Sequence, residues 1–339
     1  RADGLLWLGG CLAWITWEGW RARQRGWKIA TQLLLAAALY GVVMGVWFGR
    51  NLNVFGQWMP PGGSRALWIT AYDETYSYPA GQLTPERWLS QGWGNLLEAR
   101  WDALKMNLQT ALGVQFQIVL LPLAVWGFWR VRQKREAQVG GLMWLTTLGM
   151  MTVVFPFAGS RGGFFHSGAA LQPLIWGLSA VGLDAAVRWA ARKRRWNPRQ
   201  AVMVLGGGLV IINLAVSASL YAANVIGEDA SQPKWSRSWE DALQTAALIQ
   251  EQGGEPQDVV MVNNPPGYAA ANRQAAISVP NEPAAVTLEA ARRYQARWLV
   301  LDENVPEPLE ELFQQPENRD GLRLGYASEE VVIYEILPE

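Results

Sequence analysis

Cysteine and histidine are almost missing from this sequence of 339 residues, which contains one of each. The single cysteine, Cys11, excludes an intrachain disulfide and argues against a cysteine-based metal site. The single histidine, His166, cannot form a metal site alone, so these two residue types indicate no metal centre, although carboxylates could still bind a divalent cation. Charged residues make up 17% of the chain, yet they are nearly absent from several long stretches. The chain therefore has to be interpreted segment by segment.

Long apolar stretches dominate the first two thirds of the chain. A helix needs about twenty apolar residues to cross the roughly 30 Å hydrocarbon core of a bilayer. The segments that meet or approach this requirement predict about six membrane spans, at 4–20, 29–48, 108–129, 139–158, 168–187 and 200–223. Glu18 makes the first of these short. Asp184, inside the fifth, stands four residues before Arg188 and predicts a helical ion pair rather than a functional acid.

Tryptophan and basic residues agree with these spans. The chain has 20 tryptophans, and many stand at the edges of apolar stretches, as in the aromatic belt of a bilayer protein. Fourteen of the 29 basic residues form three clusters between spans, at 21–28, 130–135 and 188–199. If every span crosses the membrane, all three clusters lie on one side, which the positive-inside rule identifies as the cytoplasm. We therefore expect a multi-pass plasma-membrane protein in which residues 1–223 form the membrane region.

The tail, 224–339, has a different composition, with 8 basic and 20 acidic residues and no long apolar stretch. Strand patterns alternate with helical patterns, which predicts a small soluble α/β domain of three layers with a partly parallel sheet. The predicted elements are helices at 238–252, 283–295 and 307–315 and strands at 258–262, 276–280, 297–302, 322–326 and 331–336. We expect the last two strands to form an antiparallel hairpin, and we expect the whole domain to be extracytoplasmic.

The outer loop 49–107 is too long for a simple connection between spans. Its first half is rich in proline, glycine and aromatic residues, including the segment 60–63. Its second half begins with Thr84 and Pro85, which is typical of a capped helix start. Tryptophan and leucine recur there at three- and four-residue spacing between charged residues, so we predict a helix at 85–105 that lies in the membrane interface.

The end of the second predicted span reads GVWFGRNLNVFG, and this segment resembles the P-W-x-x-R-N-x-x-x-F-G motif of the GT-C superfamily of polytopic glycosyltransferases. Members include the aminoarabinose transferases, the protein O-mannosyltransferases and the bacterial "RgtA/B/C/D-like" group. The matching residues are Trp47, Arg50, Asn51, Phe55 and Gly56, and Val46 replaces the leading proline. The resemblance implies transfer of a sugar from a polyprenyl-phosphate carrier to an acceptor on the non-cytoplasmic face. It also implies a catalytic carboxylate in the first outer loop, upstream of Arg1.

Four cationic or titratable residues are candidates for binding the carrier phosphate. Arg50 ends a span, where a guanidinium can bind a phosphate with two hydrogen bonds. Arg161 and His166 lie in a glycine-rich stretch after another span, and Lys105 precedes a third. The alternatives are interfacial anchoring for Arg50 and Lys105 and an ordinary loop residue for His166. For Asn51, a helix C-cap is favoured over a ligand.

Asp73 and Glu74 are the paired carboxylates nearest the membrane on the predicted outer side. They are candidates for binding an acceptor hydroxyl or a divalent cation, and the alternative is a solvated turn. In the tail, Asn263 and Asn264 follow one predicted strand and Asp302 and Glu303 follow another, so they are expected to face one crevice. No cofactor is indicated by these residues.

The favoured function is therefore a glycosyltransferase of which this chain is the C-terminal part. Its expected partners are the lipid bilayer, a polyprenyl-phosphate-linked sugar and an unidentified acceptor, with no nucleic acid. The alternative is a non-enzymatic membrane protein, a transporter or an envelope scaffold, whose acidic domain binds a partner. Transporters often contain broken helices, and an unbroken set of spans would favour the enzyme.

Overall fold

The computed structural model describes residues 3–59, 65–231 and 233–338, so part of the predicted outer loop, 60–64, lies outside the described residues. Most of the described chain is helical, and a small mixed sheet lies near its C-terminal end. The fold divides into two compact units. The first contains Arg1–Thr70 and Leu83–Asn213, and the second contains Ala71–Gln82 and Leu214–Glu339. The predicted boundary at 223/224 and this division differ in two places, inside the last apolar helix and in the outer loop.

The first unit is built from helices, whose bounds follow in chain order. They are α1 (Asp3–Arg21), α2 (Gly26–Phe55), α3 (Pro85–Ser90), α4 (Gly92–Thr110), α5 (Leu121–Val131), α6 (Arg135–Gly149), α7 (Pro156–Ala158), α8 (Phe164–Gly168), α9 (Gln172–Arg194) and the first part of α10 (Pro198–Tyr221). π-helical turns extend or join several of them at Ala111–Gln115, Met150–Val154, Gly159–Gly163 and Ala222–Ile226.

Four helical stretches of the described chain are long and apolar enough to cross a membrane. They are Gly26–Phe55, Arg135–Val154, Pro156–Arg194 and Pro198–Ile226. Each contains or closely overlaps one predicted span, so this is a protein with several candidate membrane helices. The predicted ion pair inside one of them is confirmed, because the Arg188 Nε lies 2.8 Å from a carboxylate oxygen of Asp184.

The predicted span 108–129 is wrong as a continuous helix. The chain leaves helical geometry at Gln117 and Ile118, which both have positive φ, and α5 begins only at Leu121. The break is held by Gln115, which is almost fully buried. Its side-chain oxygen accepts a hydrogen bond from the Trp144 indole at 2.8 Å, and its carbonyl accepts one from the Gln172 amide at 2.7 Å. These partners come from distant segments, so the local apolar composition gave no sign of the break.

Helices α5 and α9 approach closely through glycine. A β-carbon on Gly127 would lie 1.8 Å from the carbonyl oxygen of Leu178, and one on Gly182 would lie 1.9 Å from that of Leu123. Any larger residue at either position would collide with the backbone of the other helix. Small residues at the contact are typical of helix packing in membranes, where close backbone approach replaces the hydrophobic driving force.

The second unit contains a five-stranded sheet in the order β2-β1-β3-β5-β4. Its strands are β1 (Val259–Val262), β2 (Ala276–Ser278), β3 (Ala296–Asp302), β4 (Leu322–Ala327) and β5 (Val331–Ile336), and its helices are α11 (Lys234–Glu251), α12 (Pro265–Asn272), α13 (Ala284–Arg293) and α14 (Glu310–Gln314). Strand β1 is parallel to β2 and β3, whereas β5 is antiparallel to both β3 and β4. The partly parallel sheet and the closing antiparallel hairpin are confirmed.

Alternate residues of β3 enter two apolar clusters. Leu299 and Leu301 pack with residues of α13 and α14, whereas Trp298 and Val300 pack with residues of α11 and α12. Side chains on a strand alternate between the two faces of a sheet, so both faces are covered. Helix α12 was not predicted: the segment after the first predicted strand of the tail forms a helix, whose N-cap is Asn264. The Asn264 side chain accepts a hydrogen bond from the Gly267 N–H at 3.2 Å.

Candidate functional site

Three residues of the motif at the end of α2, namely Arg50, Asn51 and Gly56, have different structural roles. Asn51 is completely buried, and its side-chain nitrogen donates to the Trp58 carbonyl at 3.0 Å. This bond connects the helix to the chain that follows it. The expectation that Asn51 is the C-cap is wrong, because α2 continues beyond it to Phe55. The helix instead ends one turn later at Gly56, whose φ of +70° is the left-handed conformation typical of a terminating glycine.

Arg50 is exposed at this helix end. Its guanidinium carbon lies 6.0 Å from the centre of the Phe55 ring, which is within cation–π range. The neighbouring rings of Phe48 and Trp58 pack edge to face with centres 6.0 Å apart. Arg50 is therefore an exposed guanidinium beside an aromatic ring, in the last part of an apolar helix. A guanidinium can bind a phosphate with two hydrogen bonds.

Arg161 and His166 lie on one short, kinked stretch. Arg161 and Gly162 interrupt helical geometry within Gly159–Gly163, and His166 follows on α8. A β-carbon on Gly162 would lie 3.8 Å from the His166 Nε2, so the imidazole covers the kink. Both residues are exposed. The kink thus places the His166 imidazole beside Gly162, the residue that follows Arg161 in the chain.

Lys105 pairs with a carboxylate. Its ammonium nitrogen lies 2.7 Å from the Asp102 carboxylate one turn earlier on α4, and both side chains are more than half exposed. Such a pair contributes little to stability, about 0–1 kcal/mol. A phosphate that bound Lys105 would have to compete with Asp102 for the ammonium group.

Helix α4 lines a cavity that was not predicted. The cavity has a volume of about 310 Å³ and is bounded on one side by a single face of the helix. That face is formed by Asn95, Glu98, Ala99, Asp102, Ala103 and Met106. Thr70, Pro156, Phe157 and Ser160 complete the wall, and Ser160 immediately precedes Arg161.

The cavity face was missed because α4 carries three faces rather than two. Trp93, Leu97 and Trp101 are exposed, as predicted for an interfacial helix, and the predicted single helix 85–105 is divided at Gly92, where φ is +79°. A second face carries the buried residues Leu96 and Asn107, and Ala103 lies at its border with the cavity face. The spacing of Asn95, Glu98 and Asp102, at i, i+3 and i+7, is the signal that would have revealed the third.

Asp73 and Glu74 belong to the other unit. They lie on a short 3₁₀ turn, Asp73–Tyr76, and Glu74 accepts a weak hydrogen bond from the Ala71 N–H at 3.4 Å. Among the described residues, no group of three or more His, Cys, Asp or Glu side chains is arranged to hold a metal ion. The geometry therefore gives the predicted cation site no support.

The segment Ala71–Gln82 forms part of the second unit through Tyr76 and Tyr78. The Tyr76 carbonyl accepts a hydrogen bond from the Asn281 N–H at 3.0 Å, and the Tyr78 N–H donates to the Glu282 carboxylate at 3.2 Å. The Arg293 guanidinium donates to the Tyr78 hydroxyl at 3.0 Å, and the Tyr78 ring packs against the apolar cluster that contains Leu299. A segment that lies in sequence between two candidate membrane helices thus completes the second unit.

The predicted crevice of the tail is confirmed in part. The Asn263 amide donates to the Asp302 carboxylate at 2.6 Å and to the Asn304 carbonyl at 3.1 Å, so the loops after β1 and β3 meet. Asp302 also accepts a hydrogen bond from the Asn304 N–H at 2.8 Å. These polar groups satisfy one another, which indicates a structural junction between two loops.

Comparison with protein families, with curated proteins and with solved structures found no match for this chain. Its function has to be inferred from its residues and their geometry.

Proposed function

We propose that this chain is the C-terminal part of a GT-C-type membrane glycosyltransferase that transfers a sugar from a polyprenyl-phosphate donor to an extracytoplasmic acceptor. In this proposal α1 and the broken segment Gly92–Val131 also cross or enter the bilayer, which makes about six membrane segments. The second unit is a three-layer α/β domain on the outer side of the plasma membrane. The reacting carboxylate is supplied by a first outer loop upstream of these residues.

The arrangement of Arg50 at the end of α2 is the observation that carries the proposal. The phosphate of a membrane-embedded carrier lies at the level where such a helix ends, and its tails lie beside the apolar helix. Arg50 is exposed there, and Asn51 and Gly56 set the backbone on which it stands. A guanidinium can bind a phosphate with two parallel hydrogen bonds, which a lysine cannot do.

In this proposal the acceptor binds in the cavity beside α4. Glu98, Asp102, Asn95 and Ser160 supply hydrogen-bond acceptors and donors of the kind that bind sugar hydroxyl groups. Met106 and Phe157 supply apolar wall on which a sugar ring or lipid can rest. In the proposal Arg161 and His166, on the stretch that follows Ser160, and Lys105, on the same helix, contribute to binding the donor phosphate.

The test is sugar transfer from a polyprenyl-phosphate donor by the full-length protein, combined with direct binding of the polyprenyl phosphate. We expect Arg50→Ala to weaken carrier binding about tenfold to a hundredfold, because a hydrogen bond to a charged group contributes about 1.5–3 kcal/mol. Arg132→Ala is a matched control, since Arg132 is also exposed and stacks on an aromatic ring, that of Trp129, at 4.2 Å.

Equal carrier binding by both variants would remove Arg50 from the site. If the full-length wild-type protein also transfers no sugar from any polyprenyl-phosphate donor tested, the enzymatic proposal fails as a whole.

The broken segment between α4 and α5 favours a second candidate, a membrane transporter. Discontinuous helices with buried polar side chains often form substrate sites in transporters. Here the break at Gln117 and Ile118 directly follows the buried Gln115, and a second buried polar side chain, Asn107, lies on the preceding helix α4. Uptake of labelled solutes into proteoliposomes, compared between wild type and Gln115→Leu, distinguishes this candidate: Gln115-dependent uptake without sugar transfer would favour it.

A further inference from the structure

Helix α11 carries an apolar face that extends beyond the sheet it covers. Ala242, Ala246 and Ile249 are buried against the sheet. At 3.6 residues per turn, Trp239 and Trp235 continue the same side of the helix toward its N-terminus. Trp235 is nevertheless 68% exposed and Trp239 is 48% exposed. The N-terminal half of α11 therefore has two large indole rings that the domain core does not cover.

This half of α11 is attached to the end of a candidate membrane span within the same unit. The span that contains α10 ends at Ile226, and α11 begins at Lys234. The Lys234 ammonium donates to the Ala223 carbonyl, near the end of the span, at 3.2 Å. Gly227, with a φ of +83°, makes the turn between the two helices, and a β-carbon there would lie 2.8 Å from the Lys234 side chain. Trp235 therefore follows directly on a residue that contacts the end of the span.

We infer that the N-terminal half of α11 rests on the membrane surface, with Trp235 and Trp239 in the boundary between lipid headgroups and acyl chains. Indole rings prefer this layer because they combine a large apolar body with an N–H donor. The charges suit the arrangement, since Glu240 and Asp241 lie on the other side of the helix, where they face water. The occupant of this face is a lipid surface, because the face adjoins the end of a membrane helix.

The inference depends on the placement of α10 in a bilayer and is independent of the glycosyltransferase proposal. Its consequence is that the soluble domain is oriented at the membrane by a lipid contact as well as by its covalent connections. A face made for water would place polar side chains at these two positions.

Site-directed labelling of the full-length protein in phosphatidylcholine nanodiscs tests this contact. In a Cys11→Ser background, Trp239→Cys is labelled with an environment-sensitive fluorophore, and quenching by doxyl-labelled lipid is compared with quenching by aqueous iodide. Gln244→Cys is the matched control, because Gln244 is exposed on the opposite side of the same helix. We expect lipid quenching to be several-fold stronger at 239 than at 244, and iodide quenching to be several-fold weaker.

Equal lipid quenching at the two positions would overturn the inference. So would a label at 239 that neither quencher reaches, because another part of the protein would then cover the face. Leu243→Cys removes no indole and lies at the edge of the same apolar face, 44% exposed. It keeps the test decisive if loss of a tryptophan loosens the helix: lipid quenching at 243 above that at 244 supports the contact, and equal values contradict it.

Discussion

Both units of this protein bury apolar side chains, such as Phe164 and Val187 in the first unit, but they differ in the apolar residues that they expose and the polar residues that they bury. In the first unit, valines on α2 such as Val42, Val43 and Val46 are exposed, whereas Asn51, Asn107 and Gln115 are buried. In the second unit the largest fully buried side chains are apolar or aromatic, among them Trp298, Leu299, Leu301 and Ile333. The difference shows which solvent each unit is suited to. Water drives apolar side chains inward, whereas lipid leaves them outside and leaves close packing and hydrogen bonds to hold the helices.

The largest effect is expected from Leu299→Ala in the second unit. Leu299 is 1% exposed and belongs to the main apolar cluster of the sheet. Truncating a buried leucine leaves a cavity and costs about 2–5 kcal/mol of the free energy of unfolding. Hydrogen exchange of the β3 amides in the full-length protein measures this loss.

The control for Leu299→Ala is Val46→Ala in the first unit, at a side chain that is 85% exposed. We expect it to change hydrogen exchange of the α2 amides by less than about 0.5 kcal/mol. Similar losses at both positions would show that the two units do not differ in the way their burial patterns indicate.

A smaller effect is expected from Gly127→Ala, which tests close packing in the first unit. The added methyl group would meet the Leu178 carbonyl at 1.8 Å, so α5 and α9 have to move apart. Overpacking of this kind costs about 1–3 kcal/mol. Thermal unfolding in detergent micelles measures the loss.

Gly177→Ala provides the contrast, because a β-carbon at that position on α9 has nothing within 4 Å. Alanine favours a helix over glycine by about 1 kcal/mol, so this variant should be slightly more stable than wild type. If the two variants behave alike, the α5–α9 contact is not the close approach described.

The smallest effect concerns charge in the second unit and depends on pH. Desolvation alone would raise the pKa of Asp258, but hydrogen bonds from the Glu255 N–H and the Trp298 indole, together with Arg297, outweigh it and lower the pKa. A carboxyl group with a lowered pKa stabilises the folded state above its unfolded pKa of about 3.9, and this contribution is lost as the pH falls through the folded pKa. Asp258→Asn should therefore destabilise the sheet at neutral pH and lose its effect in acid.

Hydrogen exchange of the β1 and β3 amides, measured for both proteins between neutral and acidic pH, checks the direction. The comparison in the first unit is Asp184→Asn, which removes a pair with Arg188 that is about half exposed. Such pairs contribute about 0–1 kcal/mol, so this variant should change little at any pH. A difference between Asp258→Asn and wild type that grows toward low pH would contradict the assigned sign.

Composition and periodicity predicted those features of the fold that depend on neighbours in sequence. The span at 29–48 and the strand at 297–302 are examples, because an apolar helix long enough for a bilayer and a continuously apolar buried strand have patterns of their own. The break after Gln115 was not predicted, because the groups that stabilise it, Trp144 and Gln172, come from two other segments. The role of Tyr78 in the second unit was missed for the same reason, since its partner Arg293 lies 215 residues away.

The residues of the candidate site also fall into two groups, those that a local motif predicts and those that depend on tertiary contacts. Arg50 and Gly56 could be recognised because their motif is local, and the helix end that they define is local too. Glu98 and Asp102 were interpreted as the polar side of an interfacial helix, and only packing against 156–160 converts that side into a cavity wall.

By itself, the sequence determined that this chain contains helices long and apolar enough to cross a membrane and a small mixed-sheet domain. Those properties follow from the lengths of apolar stretches, the positions of charges and the alternation of strand and helix patterns, all of which are local. Only the tertiary structure decided where a helix breaks, which glycines bring helices together, which face of α4 lines a cavity and that the segment 71–82 joins the second unit. Each of these depends on contacts between residues far apart in the chain, whose partners no local pattern identifies.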